Sequence, residues 1–175
     1  MESTVLIREQ MESGHGFLEM TLADVTTEQL GWLPPGKANP LGATFAHLVL
    51  GEDFLINGML RGAAPLAAAA FAGKTGLGEM APAPGQGDWG EWGRRVKIDL
   101  GPLRAYAKAV FGATDVYLGA LSPADLDRQI DLSALGLGNH SLAWVLTNGG
   151  VGHVYGHMGE IACLKGLQGA RGYPF

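Results

Sequence analysis

Two histidines four residues apart, His153 and His157, followed by Glu160, are the grouping in this chain best placed to do chemistry. On a helix turning about 100° per residue, with His153 as origin, His157 lies at about +40° and Glu160 at about −20°. Leu142, Leu146 and Leu164 share that stripe. The three polar groups are therefore expected to face a bundle core, where an imidazole or carboxylate without a partner costs about 2 kcal/mol or more. His-x-x-x-His on one helical face lets two imidazoles bind one first-row transition metal ion. His47 is the candidate third ligand, in line with Thr44, Gly51 and Phe54 on an earlier segment that is apolar nearly all round.

Three neutral imidazoles leave an ion with open coordination positions, the arrangement of a catalytic rather than a structural site. Such an ion acts as a Lewis acid, or brings the pKa of a water or thiol towards neutrality. Glu160 is a candidate orienting group, general base or further ligand. His15, on the stripe of Met11, Leu18 and Leu22, is a candidate acid-base group for the same cavity. Each histidine also has a plainer reading as a hydrogen-bonded core residue, and it is the three together that argue for a metal.

Other residues read differently. Glu52 lies about 140° from His47 on the wheel and is expected to be a buried carboxylate tied to a neighbouring helix or a subunit interface. Gly149, Gly152, Gly156 and Gly159 form a smooth strip beside the histidines. Each costs about 0.8–1.0 kcal/mol against alanine within a helix, which close approach of another helix, of this chain or of a second subunit, would offset. Cys163 borders the strip and is expected to be a small buried residue rather than a nucleophile.

Helices must position these groups. Residues 4–24 read as a first helix, with a short helical turn after Asp24 that ends at Pro34-Pro35-Gly36. A second helix opens at Asn39-Pro40, read as an N-cap followed by proline in the first turn, and runs to about Leu60. Residues 61–99, rich in Gly, Ala and Pro, lack a sustained period; a short helix over 65–72 and burial of Trp89 and Trp92 are expected there. A third helix starts near Gly101-Pro102 and presents Leu103, Tyr106, Val110, Tyr117 and Leu121. After a short turn at Ser122-Pro123 and a glycine-rich connection over 133–138, a fourth helix is capped by Asn139 or Ser141 and continues to about Gln168. Four long amphipathic segments with no convincing alternating strand predict an all-α, four-helix bundle. There is no internal repeat.

The chain has 175 residues, 47% apolar and 17% charged, which fits one domain over 1–175 that folds alone. A net charge of −5 without a cluster of Lys and Arg argues against nucleic acid or anionic membrane as partner. The most apolar stretch, residues 62–73, is too short and too rich in alanine to span a bilayer. One cysteine and an N-terminus without the features of a signal peptide point to a cytoplasmic protein.

With its histidines located, the sequence resembles the DinB family of DinB/YfiT-like metalloenzymes. The segment Asn39-Pro40-Leu41-Gly42-Ala43-Thr44-Phe45-Ala46-His47-Leu48, with Glu52, is similar to the family's second-helix histidine segment. His153-Val154-Tyr155-Gly156-His157-Met158-Gly159-Glu160-Ile161, ending in Gly172-Tyr173-Pro174-Phe175, is similar to its fourth-helix motif and tail. The resemblance implies an up-down-down-up bundle in which His47, His153 and His157 bind nickel, zinc or a similar divalent ion, commonly as a homodimer acting on a small-molecule substrate. It further implies transferases and isomerases using bacillithiol, mycothiol or glutathione, or metal-dependent hydrolases. Family members often carry Gln where Glu160 stands. The competing expectation is a non-catalytic bundle that binds a small ligand or partner, its metal site structural or vestigial.

Overall fold

The computed structural model describes residues 2–83 and 86–175. Met1, of the N-terminus read above, and residues 84 and 85, within the segment read as 61–99, lie outside the described residues.

Four helical rods carry the fold. The first, α1 (Ser3–Leu22), buries Ile7, Met11, Leu18 and Leu22 along one face, the period-3.6 stripe seen in the sequence. A capping box between Thr26 and Gln29 starts the short α2 (Thr27–Gly31). The second rod, α3 (Leu41–Asp53), is buried on nearly all sides, as a helix this apolar must be. Its N-cap is Pro40, so the proline sits one position before the first turn rather than in it. From Phe54 to Leu60 the same rod continues with wider, i→i+5 turns.

The third rod is α5 (Leu100–Gly119), capped by the Asp99 side chain and buried through Leu103, Tyr106, Ala107, Val110, Phe111, Thr114 and Leu118. Tyr117 and Leu121 are only half-buried, so the core face lies slightly round the helix from the stripe expected. The fourth rod runs without a break through α6 (Leu142–Val145), a second widened stretch (Leu146–Gly152) and α7 (His153–Leu167). Ser141, not Asn139, caps it, its hydroxyl accepting from the Trp144 N–H. The rods close a ring in which α1 and α3 each pack against both α5 and α7. This is the all-α, four-helix bundle expected from the sequence.

Two elements depart from the expectation. Residues 129–131 and 139–141 form an antiparallel two-stranded ribbon, β1 (Gln129–Asp131) and β2 (Asn139–Ser141), around the glycine-rich connection. In the 61–99 segment the early helix shrinks to a single turn over Leu66–Ala68, and a helix unexpected from the sequence, α4 (Trp89–Arg95), is capped by Asp88. Trp92 is fully buried and Trp89 half-buried, so the tryptophans do pin the segment. Its middle is tied to the start of α5 by a bridge between Leu77 and Ile98 and by the Asp99 N–H donating to the Gly76 carbonyl at 2.8 Å. Gly76 has φ +80°, and a Cβ there would stand 2.5 Å from the Asp99 oxygen, so only glycine fits.

Candidate metal centre

His47 comes from the middle of α3; His153 and His157 open α7 on successive turns. The structure brings these three together: one ligating nitrogen from each lies within 4.8 Å of the other two. The Nε2 atoms of His47 and His153 are 3.3 Å apart. Two nitrogens bound tetrahedrally at 2.0–2.1 Å would stand about 3.4 Å apart, so the donor set fits a single small divalent ion.

The imidazoles are half-buried, which corrects the expectation that they face the bundle core. The buried face of α7 is Val154, Met158, Ile161, Ala162, Leu164 and Lys165, and the histidines stand at its edge. The wheel aligned them with Leu142 and Leu146 by carrying a uniform increment across the widened turns before His153, while within α7 they flank the buried face beside Leu164. Burial, reinforced by the neighbouring imidazoles, pushes His153 down to about 4. Burial and the proximity of His157 lower His47 as well, with Glu160 opposing. Both rings are therefore neutral at ordinary pH and present lone pairs, as metal binding requires.

Glu160 Oε2 lies 2.9 Å from His157 Nδ1, leaving Nε2 as the ligating nitrogen of that ring. This is the carboxylate–histidine arrangement that fixes the tautomer and orientation of metal-binding imidazoles. The Thr44 hydroxyl reaches Glu160 Oε1 at 3.4 Å while also donating to the Pro40 carbonyl. The hydrogen bond from His157, ahead of the opposing effect of burial, holds the Glu160 carboxyl below its usual range.

His153 is seated by its neighbour on the next rod. A Cβ at Gly51 would stand 3.0 Å from His153 Cε1, so α3 offers bare backbone where the ring lies. Gly14 of α1 likewise gives way to Val154 and Tyr155 of α7. Among the described residues the close approaches onto α7 thus come from glycines on its partners, and no helix of this chain lies close along its own glycine strip. Nothing stands within 4 Å of a Cβ at Gly156; Gly149 meets only the Leu55 side chain, Gly152 the Thr147 carbonyl and Gly159 the Tyr173 hydroxyl. Cys163, on the same solvent-facing side, is exposed rather than buried.

His15 is not part of this cluster. Its Nε2 pairs with Glu52 Oε2 at 2.9 Å, its ring stacks on Phe111 at 3.8 Å, and Thr114 Oγ1 donates to Glu52 Oε1 at 2.5 Å. Glu52 is thereby the buried carboxylate tied to neighbouring helices that its wheel position implied.

Beside His47 and His153 opens a cavity of about 620 Å³ walled by α3, its widened extension, the 65–68 turn and Trp89. Its volume is within the range of small-molecule sites. Trp89 meets the His47 ring edge-on at 4.9 Å. Asp53 organises one wall. Fully buried, its Oδ1 accepts from Asn57 Nδ2 and the Leu66 N–H, and its Oδ2 from the Ala67 N–H and the Tyr106 hydroxyl, all between 2.6 and 2.9 Å. Burial, with the bond to Asp53 second, raises Tyr106 above the ordinary phenol range, so it stays protonated. Sequence reasoning passed over Asp53, although an acid inside an apolar helix, next to Glu52, was the signal available.

These features define a class: a helical bundle with three imidazoles converging beside a cavity. The model of the DinB superfamily matches residues 10–161, and the chain belongs to that superfamily. A solved structure, described as a conserved protein from Enterococcus faecalis, shares the fold with a TM-score of 0.80 at 20% identity, over 95% of this chain and 97% of that one. Comparison with curated proteins finds no match. Among the described residues no helix is long and apolar enough to cross a membrane.

Proposed function

We propose that this protein is a metal-dependent enzyme in which His47, His153 and His157 hold a divalent ion, nickel or zinc, next to a small electrophilic substrate. When bound, the ion would polarise the electrophile and favour the anionic form of the nucleophile, a low-molecular-weight thiol or a water. The observation that carries this reading is the 3.3 Å approach of two neutral imidazoles beside a substrate-sized cavity.

The chain's own groups divide the remaining work. Glu160 orients His157 through Nδ1 and, with its side chain 40% exposed, has access to solvent as a proton acceptor. Trp89 and the 65–68 turn line the cavity beside the imidazoles and give a bound substrate apolar contact there. His15, engaged with Glu52, supports α1 against α3 and α5 rather than serving as the acid-base group.

The test is elemental analysis of the purified protein, then a turnover screen with bacillithiol, mycothiol and glutathione. Stoichiometric metal, lost in His153→Ala while the helical circular dichroism is kept, supports the reading; full occupancy in that variant overturns it. Chelation of a catalytic ion abolishes turnover with a small loss of Tm. A large loss of Tm without any turnover favours a structural ion instead.

A further inference from the structure

The cavity beside the imidazoles is lined by apolar side chains such as Leu50, Phe54, Leu55, Met59 and Met80, and by no Lys or Arg among the described residues. Its one carboxylate, Asp53, is an acceptor already engaged by four donors and has nothing to offer an anion. The polar atoms that face the cavity with coordinating capacity are the imidazole nitrogens at its His47 and His153 end. A net charge of −5 for the whole chain adds no attraction for a second negative group.

We infer that the substrate entering this cavity has an uncharged, largely hydrocarbon body with a single polar or reactive group, which it directs at His47 and His153. The inference rests on the metal-dependent reading and narrows it to a substrate class. A ligand with a charged group at its far end would set that charge against Leu, Phe and Met side chains with no cation among the described lining residues to pair it, losing hydration without a compensating partner. A hydrocarbon body instead gains from leaving water. Specificity is thus set by Leu50, Phe54, Leu55 and Met59, on the same rod as His47 and its widened extension.

The experiment loads the full chain with cobalt(II) and titrates it with 1-hexanethiol and with 6-mercaptohexanoate, used as metal-anchored probes of the substrate cavity rather than as the nucleophile. The two share a thiol and differ by a carboxylate at the far end. Cobalt content and the thiolate-to-cobalt absorption band report the metal site; calorimetric affinities report the cavity. 1-Hexanethiol is expected to bind at least 10-fold more tightly. Ala68→Lys, a change at an exposed position of the cavity wall, is expected to bring the two affinities within about 3-fold by giving the carboxylate a partner. Equal affinities in the unaltered protein, binding of neither thiol to cobalt-loaded protein, or an undiminished preference in Ala68→Lys each overturns the inference while leaving the metal reading standing. Failure to bind cobalt at all overturns the metal reading itself.

Discussion

His47 and His153, from different rods, point Nε2 at Nε2 across 3.3 Å. Two neutral imidazoles cannot both donate in such a contact, and at most one proton can occupy it. The pair is therefore poised to present two lone pairs to a common cation, and its spacing depends on what stands behind each ring. Behind His153 stands the bare backbone of Gly51.

Gly51→Ala should accordingly separate stability from metal binding. Alanine favours the helix by about 0.8–1.0 kcal/mol relative to glycine, but its methyl would lie 3.0 Å from His153 Cε1 and must push the ring by a few tenths of an ångström. The expected outcome is an unchanged or slightly higher Tm with zinc affinity reduced about 10-fold, measured by competition with a chromophoric chelator.

Glu160 acts on the same centre through His157. Removing an orienting carboxylate costs about 10–100-fold in metal affinity, so Glu160→Ala should fall in that range. Glu160→Gln retains an oxygen able to accept from His157 Nδ1 and should lose less than Glu160→Ala. Equal losses in the two variants, in the same chelator competition, would show that charge rather than orientation matters.

Asp53→Asn replaces one carboxylate oxygen with a donor, which would then face either the Leu66 N–H and Asn57 Nδ2 or the Ala67 N–H and the Tyr106 hydroxyl. Buried donors left facing one another forfeit about 1–3 kcal/mol each. Urea unfolding should show a loss of about 2–4 kcal/mol, and limited proteolysis should cut within 61–72 sooner than in the unaltered protein.

The one buried lysine among the described residues, Lys165, gives the pH dependence. Lys165 Nζ, on α7, donates to the Thr21 carbonyl at 2.6 Å and to Asp24 Oδ1 at 2.5 Å. That bond holds the Asp24 carboxyl below its ordinary value of 3.8. A depressed carboxyl adds stability that is fully present above its unfolded value and is lost as pH falls through its lower folded value. Asp24→Asn should lower Tm at pH 7 by at most about 2–4 °C, because an ion pair with one partner largely in solvent contributes about 1 kcal/mol or less. The difference from the unaltered protein should shrink as the pH is taken below 3.8. Added salt should also narrow it, because the Asp24 side chain is 64% exposed.

How much of this could be read beforehand follows from the range of each signal. The imidazole trio was legible because His153 and His157 lie four residues apart on one helix, and because His47 is anomalous within an apolar one. Glu52 was legible for the same reason. The ribbon was not, since β1 and β2 have three residues each, fewer than alternation needs to declare itself. Nor was α4: Trp89-Gly90-Glu91-Trp92-Gly93 carries two glycines, and its helix is upheld by the Asp88 cap and the burial of Trp92, a tertiary contact that propensity cannot register. Cys163 was misread because a run of small residues looks alike whether a helix or solvent lies against it.

The widened turns ending at His153 make the last rod two lengths with independent rotational phase. Upstream, Ser141 and Trp144 set the rod's angle to the ribbon; downstream, Val154, Met158 and Ile161 set it to the core. A helix of constant pitch would force one angle from the other. Here the mismatch is absorbed before the ligands begin, so the ribbon-side length and the imidazole-bearing length need not share one rotational phase.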